Sequence, residues 1–355
     1  MIRKAPPGKK SGGKKKGAKL RFGTYPYTAV RVLAMKSALL GKDDYMRMQK
    51  MGMNEIIRFL AEGEYKSEIE ILSKSFRGIE LVNLSLNLNL AATVNKLLRI
   101  SIHDEVKGMI RLYSNKWVVS NLKTVLRVKM NALDSGYIRY GIIPIEPATY
   151  EFCRALYESE PRAMAREIEK IMFIDASETE SLLQEGNLMS LENALDREYY
   201  KTLYAASRNV KSKFIKEFLQ NLVELMNIRN VVKLRISGVD RKTALDFVIG
   251  DRSRLVSKLL DASDAEKIRG VLGESRYSAL SKGIEEDIAN LENNLENFLL
   301  RYSSKLLHSK QMSISPIFGY LLAKEIEIRN LRLMLNSRDA GLEEDFVNKN
   351  LIISA

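Results

Sequence analysis

Apolar and polar positions in residues 321–336 follow a helical period. Leu321, Ile328, Leu331 and Leu335 fall in one stripe, and Leu322, Ile326 and Leu333 in another. Glu325, Arg329, Arg332 and Asn336, spaced i, i+4, i+7 and i+11, make a third stripe that is charged and polar. Glu325 and Arg329 have the spacing and polarity of an i,i+4 ion pair, which adds about 0.2–0.5 kcal/mol to a helix. Glu327 and Asn330 sit between the apolar stripes, opposite the charged one. Polar groups in an apolar sector have two readings. Asn330 satisfies a partner helix and fixes its register, or this face lines an internal surface or a contact with another protein.

The helical period extends through the chain from Thr24. Val30, Leu33, Met35, Leu39 and Leu40 share it near the start. Asn54 is expected to cap a helix through Ile56, Ile57 and Leu60, stopping near Gly63. Ser177-Glu-Thr-Glu180 and Ser263-Asp-Ala-Glu266 read as capping boxes, with stops near Gly186 and Gly273. Pro161 fits the first turn of a helix running to about Met172. Alternating apolar runs are scarce, so the prediction is an all-α fold without a sheet.

Motifs also recur along the chain. Leu191-Glu-Asn-Ala-Leu-Asp196 returns 100 residues later as Leu291-Glu-Asn-Asn-Leu-Glu296. The same displacement carries Asn227-Ile-Arg-Asn230-Val231 onto Glu327-Ile-Arg-Asn330-Leu331, setting Asn230 on Asn330. A third, weaker relative is Ser120-Asn121-Leu122, with Ile79-Glu80-Leu81 as a loose upstream partner. Leu60-Ala-Glu-Gly-Glu-Tyr65 and Leu272-Gly-Glu-Ser-Arg-Tyr277 precede the first and third asparagine motifs, and the middle copy lacks them. Three divergent helical units of about 100 residues follow. Their expected bounds are 23–136, 137–238 and 239–355, after a basic tail at 1–22. Gly136 to Pro147 and Gly238 to Gly250 are the junctions.

Charge changes this picture less than its total suggests. Nine of the thirteen net positive charges lie within residues 1–21, which carry no acid, and the remaining body is close to balanced. A tail rich in Lys, Gly and Pro buries too little surface to fold. It is suited to anionic lipid headgroups or RNA, through charge attraction and counterion release, or to service as a solubilising arm. No apolar run nears the 18 residues of a membrane span, and no signal-peptide core is present. The single cysteine, Cys153, leaves no internal disulfide and reads as a packed core thiol.

Little in the sequence points to catalytic chemistry. His103 and His308 stand about 200 residues apart with no metal-ligand spacing. Gly8-Lys9-Lys10 and Gly41-Lys42-Asp43 lack the hydroxyl of a phosphate loop, and no nucleophile elbow occurs. The acidic pairs Asp43/Asp44 and Glu285/Glu286 read as solvated, and Trp117 as a packing anchor. A repeated helical body without an active site points to a scaffold or coupling part, with no cofactor.

Four segments carry a resemblance. Tyr25-Pro-Tyr-Thr-Ala-Val-Arg31 through Leu40 resembles the opening of the C subunit family of archaeal and bacterial V-type (A-type) ATP synthases, to which the d subunit of eukaryotic vacuolar ATPases also belongs. Asn121-Leu-Lys-Thr-Val-Leu-Arg127 is similar to its first-unit motif, Leu191 to Asp196 with Tyr199-Tyr200 to its middle unit, and Leu321 to Arg332 to its closing helix. The likeness covers residues 24–336. Two features depart from it: the long basic tail, and Asn230-Val-Val-Lys-Leu-Arg235, whose arginine comes one residue early.

The resemblance implies an all-helical, funnel-shaped body with pseudo-threefold symmetry. It also implies a non-catalytic rotor part, peripheral on the cytoplasmic face of the membrane. Its partners would be the central shaft subunits of the catalytic head and the membrane proteolipid ring. The part would transmit torque between ATP turnover and ion flow, with no specific nucleic acid involved. The contact candidates are Glu325, Glu327, Arg329, Asn330 and Arg332 of the closing helix, with Asn121, Arg127 and Asn230 from the other units. The rival reading is a basic helical RNA- or ribosome-associated scaffold. An RNA platform places stacking aromatics among basic residues, whereas the tyrosines here lie beside acids, as in Glu198-Tyr199-Tyr200.

Overall fold

A computed structural model describes residues 25–210, 213–284, 286–308 and 314–353. The expected basic tail, 1–22, lies outside the described residues. Four short helices come first: α1 (Pro26–Lys36), α2 (Lys42–Met48), α3 (Met53–Ala61) and α4 (Lys66–Leu72). A long pair follows, α5 (Gly78–Ile100) and α6 (Asp104–Met130). The plan then repeats with α7 (Ile138–Gly141), α8 (Tyr150–Glu158), α9 (Pro161–Met172) and α10 (Ala176–Gln184) before the long pair α11 (Leu188–Asn209) and α12 (Lys213–Ile236). It repeats again with α13 (Arg241–Asp246), α14 (Arg254–Asp261) and α15 (Ala265–Gly273) before α16 (Ala289–His308) and α17 (Ser315–Asp339), and α18 (Glu344–Asn350) closes the series. Among the described residues there is no strand, and the fold is all-α.

The capping signals lie within two residues of where the sequence puts them. Asp264 caps α15, its carboxylate accepting from Lys267 N at 2.9 Å, where Ser263 was expected. Asp175 caps α10 in place of Ser177, accepting from Glu178 N at 2.9 Å. In both, a carboxylate one or two residues away suits the positive end of the helix better than a hydroxyl. Gly52, not Asn54, precedes α3, and its N–H donates to the Glu55 carboxylate at 2.7 Å. Pro161 opens α9, which ends at Met172 as expected.

The six long helices pack in a closed cycle. α5 lies on α6, α6 on α11, α11 on α12, α12 on α16, α16 on α17, and α17 returns to α5. Gly319 sets the closeness of the α16–α17 pair, since a Cβ there would meet Leu307 N and Ser303 O at 2.8 Å. The second helices of the three pairs meet within their first three turns. There the rings of Tyr113, Phe218 and Phe318 lie 4.6 to 5.9 Å apart, within the range of favourable aromatic pairs. Trp117 packs edge-on against Tyr113 at 6.0 Å, the anchor its sequence context suggested. Cys153 is fully buried, and burial pushes its thiol up to about 12. Among the described residues no helix is long and apolar enough to cross a membrane.

Candidate functional site

Three asparagines organise the ring. Asn121, Asn227 and Asn330 sit in α6, α12 and α17 and are 0, 3 and 1% exposed. Each clasps the main chain of an isoleucine 22 residues later, its amide donating to the carbonyl and its carbonyl accepting from the N–H. The distances are 2.6 and 2.9 Å for Asn121 with Ile143, 2.9 and 2.9 Å for Asn227 with Ile249, and 2.6 and 3.1 Å for Asn330 with Ile352. A buried amide with both ends satisfied fixes one register and costs heavily to remove.

The turns that bring each isoleucine back are also alike. Ala132, Gly238 and Gly341, eleven residues past each asparagine, take left-handed φ of 52°, 78° and 69°. The next N–H then returns to an earlier carbonyl: Leu133 to Val128, Val239 to Leu234 and Leu342 to Ser337, at 2.8 to 2.9 Å. This is the closing bond of a Schellman turn. Eight residues past each asparagine a cation reaches the carbonyl end of a short helix. Lys129 donates to Ser159 O at 2.8 Å beyond α8, Arg235 to Ala262 O at 3.0 Å beyond α14, and Arg338 to Gln49 O at 2.6 Å beyond α2. These cations answer the negative ends of those helices. The third partner, α2, comes from the start of the chain, so the last unit leans on the first.

Polar side chains two and six residues past each asparagine cross to the next unit. Lys123 pairs with Asp196 at 2.6 Å, and Arg127 with Glu192 at 2.5 and 2.7 Å. Arg229, at 2.7 Å, and Lys233 both meet Glu292. Arg332 donates to Asn87, and Asn336 accepts from Asn83 at 3.1 Å. The hydrogen bonds from Arg127 hold Glu192 below the usual carboxylate range. Among the described residues the third seam has no carboxylate of this kind, and burial lowers the pKa of Arg332.

Three residues before each asparagine the units differ. Glu327, buried, accepts from Tyr65 OH at 2.5 Å, Lys324 Nζ at 2.8 Å and Leu40 N at 2.6 Å. Glu224 accepts from Tyr277 OH at 2.7 Å. The first unit has Val118 there. The leucine-to-tyrosine signature therefore delivers a tyrosine to the preceding unit's carboxylate. The middle copy lacks that tyrosine, and the helix it would reach lacks the acid.

Several expectations from sequence are corrected. Glu325 and Arg329 do not pair with each other. Glu325 meets Lys116 of α6, while Arg329 meets Glu296 and donates to Asn293 Oδ1 at 3.0 Å in α16. α17 lies between neighbours whose charges are nearer than its own next turn, so most of the stripe faces other helices of this chain. Asn230 is half-buried. The residue equivalent to Asn330 is Asn227, displaced by 103 rather than 100 residues. Three residues is nearly one helical turn, and Asn227-Ile-Arg-Asn230 offers an asparagine at both registers, so the leucine–glutamate offset selected the wrong one. From Asn227, Lys233 falls where Arg127 does, and the arginine that looked early disappears as an exception. The first-unit partner of the leucine–glutamate motif is Val82-Asn-Leu-Ser-Leu-Asn87, not Ile79-Glu80-Leu81. The missed signal was legible: Asn121-Leu-Lys, Asn227-Ile-Arg and Asn330-Leu-Arg each carry a second cation six residues past the first.

Among the described residues no group of three His, Cys, Asp or Glu side chains could hold a metal ion. A family profile described as ATP synthase (C/AC39) subunit matches residues 28–350. The C subunit of the A-type ATP synthase from Methanosarcina acetivorans is 32% identical over 358 residues, covering 98% of this chain and 97% of that protein. Its counterpart from Methanococcoides burtonii is 30% identical over 339 residues, covering 93 and 94%. That from Haloferax volcanii is 31% identical over 342 residues, covering 92 and 97%.

Proposed function

The chain belongs to the ATP synthase (C/AC39) subunit family, and on that premise we propose that it is the non-catalytic rotor part of an A-type ATP synthase. In this reading it joins the central shaft of the catalytic head to the membrane proteolipid ring, on the cytoplasmic face. The observation that supports it best is the closed cycle of six long helices, whose second members converge on Tyr113, Phe218 and Phe318. Three like units closing on an aromatic apex suit a funnel with pseudo-threefold symmetry. Densely packed helices also supply the stiffness that a transmission part needs.

The closing-helix residues take an indirect share in the contact surface. Glu325, Glu327, Arg329, Asn330 and Arg332 hold α17 in its seams, as Asn121 and Arg127 hold α6. Partner contact then falls to the surfaces those helices present. Asn230 stands beside the clasp without joining it.

Reconstitution tests the reading. A complex assembled without the chain is expected to hydrolyse ATP without moving ions, and adding the chain back restores ion pumping. Full pumping in the depleted complex would overturn the proposal.

A further inference from the structure

α1 has no counterpart in the other two units. After the clasped Ile143 and Ile249 the chain enters α8 and α14 directly, through the caps Thr149 and Ser253. Arg338 shows that α2 fills the role of α8 and α14, which leaves α1 as an added element. It lies on α17 and α5. Thr28 Oγ1 donates to Ile100 O at 3.1 Å, Tyr25 OH to Glu105 at 3.2 Å, and Lys36 Nζ lies 3.2 Å from His308 Nε2. α1 thus occupies a corner bounded by α17, by the ends of α16 and α5, and by the start of α6.

One unit back, the equivalent corner is bounded by α12, by the ends of α11 and α16, and by the start of α17. It holds a cavity of about 900 Å³. Its walls include Tyr204 of α11, Val223 and Asn227 of α12, Tyr302 and Leu306 of α16, and Ser315 at the start of α17. We propose that this cavity is a docking site for a short amphipathic helix of a partner protein, seated there as α1 is seated in its own corner. The precedent sets the occupant's face. α1 buries Thr28, Ala29, Val32 and Met35, spaced i, i+1, i+4 and i+7, so small or apolar residues at that spacing are required.

Charge sets the rest. Of the cavity's acids, Glu224 is engaged by Arg276 and Tyr277, and Asp251 by Arg208. Glu217 lies 3.8 Å from Lys213. Arg252 and Lys305, which also line the cavity, have no carboxylate partner among the described residues. The helix therefore carries at least one Asp or Glu beside its apolar face. The chain's own residues 1–21, with nine cations and no acid, have the wrong charge. The inference stands whichever protein supplies the helix, and independently of the coupling role.

The test uses the assembled complex, with a benzoylphenylalanine photo-crosslinker replacing Gln220, an exposed residue of the cavity wall. Mass spectrometry is expected to recover a partner segment with the stated apolar spacing and an adjacent carboxylate. The double reversal Arg252→Glu, Lys305→Glu should cut the yield at least about fivefold while the isolated chain keeps its thermal midpoint. If the reversal disturbs folding, the neutral pair Arg252→Gln, Lys305→Gln should still cut it about threefold. Crosslinks confined to this chain or to lipid, a segment without a carboxylate, no crosslink, or a yield indifferent to both pairs would each overturn the proposal.

Discussion

At the scale of single residues, the clasp separates two asparagines that look interchangeable in sequence. Asn227 is buried and holds Ile249 from both sides, while Asn230, one turn on, is half-buried. Removing Asn227 leaves a buried main-chain donor and acceptor unpaired, so Asn227→Ala is expected to cost about 2–3 kcal/mol. Asn230→Ala should cost less than about 0.5 kcal/mol. Chemical denaturation of both variants decides it, and equal losses would remove the register assigned here. Ala132 makes a second test. It holds φ of 52° where the other two units have glycine, and its side chain is exposed. Ala132→Gly should therefore stabilise the chain by roughly 0.5 kcal/mol, because relief of the left-handed penalty exceeds glycine's extra entropy. An unchanged or lower denaturation midpoint would contradict it. What sequence could not supply was the choice between Asn227 and Asn230. That choice depends on which isoleucine folds back, and the return passes through a turn whose first copy hides the signal behind an alanine.

At the scale of elements, helix period and capping made the all-α fold legible, and the recurring leucine–glutamate motif located the first helix of two long pairs. The closing helix departs from its sequence reading for a physical reason. Its charged stripe offers an i,i+4 ion pair within the helix and a contact face for another protein, but α17 has α16, α1 and α5 against it. Partners on other helices outcompete the residue one turn away. The seams should respond differently to acid. Glu192 has a folded pKa depressed by Arg127, so its contribution is present above the unfolded carboxylate value and is lost as pH falls through the folded one. The thermal midpoints of the wild type and of Glu192→Gln should differ by a constant amount above about pH 5 and draw together as pH falls below the unfolded carboxylate value and through the folded one. A gap of the same size at every pH would mean that the pair adds nothing through its charge. The seam of Arg332 with Asn87 has no such carboxylate and adds no term of this kind.

At the scale of the whole molecule, the basic tail and the balanced body are expected to act separately. Deleting residues 1–21 should leave the thermal midpoint unchanged and weaken binding to vesicles containing anionic lipid at low salt. The effect should fade as ionic strength rises and the Debye length falls to about 10 Å and below. Unaltered vesicle binding after the deletion would rule out a lipid role for the tail. The closed cycle of six helices has a different consequence for the body. A tube closed all the way round resists twisting because shear stress circulates through its entire wall. The same tube slit along its length twists easily, although it has lost almost no material. α17 returning to α5 makes this body the first kind of object, and a break at any joint of the cycle, the three seams between units among them, would make it the second. Each seam therefore governs the rigidity of the whole wall, and loosening any one of them softens the two left intact.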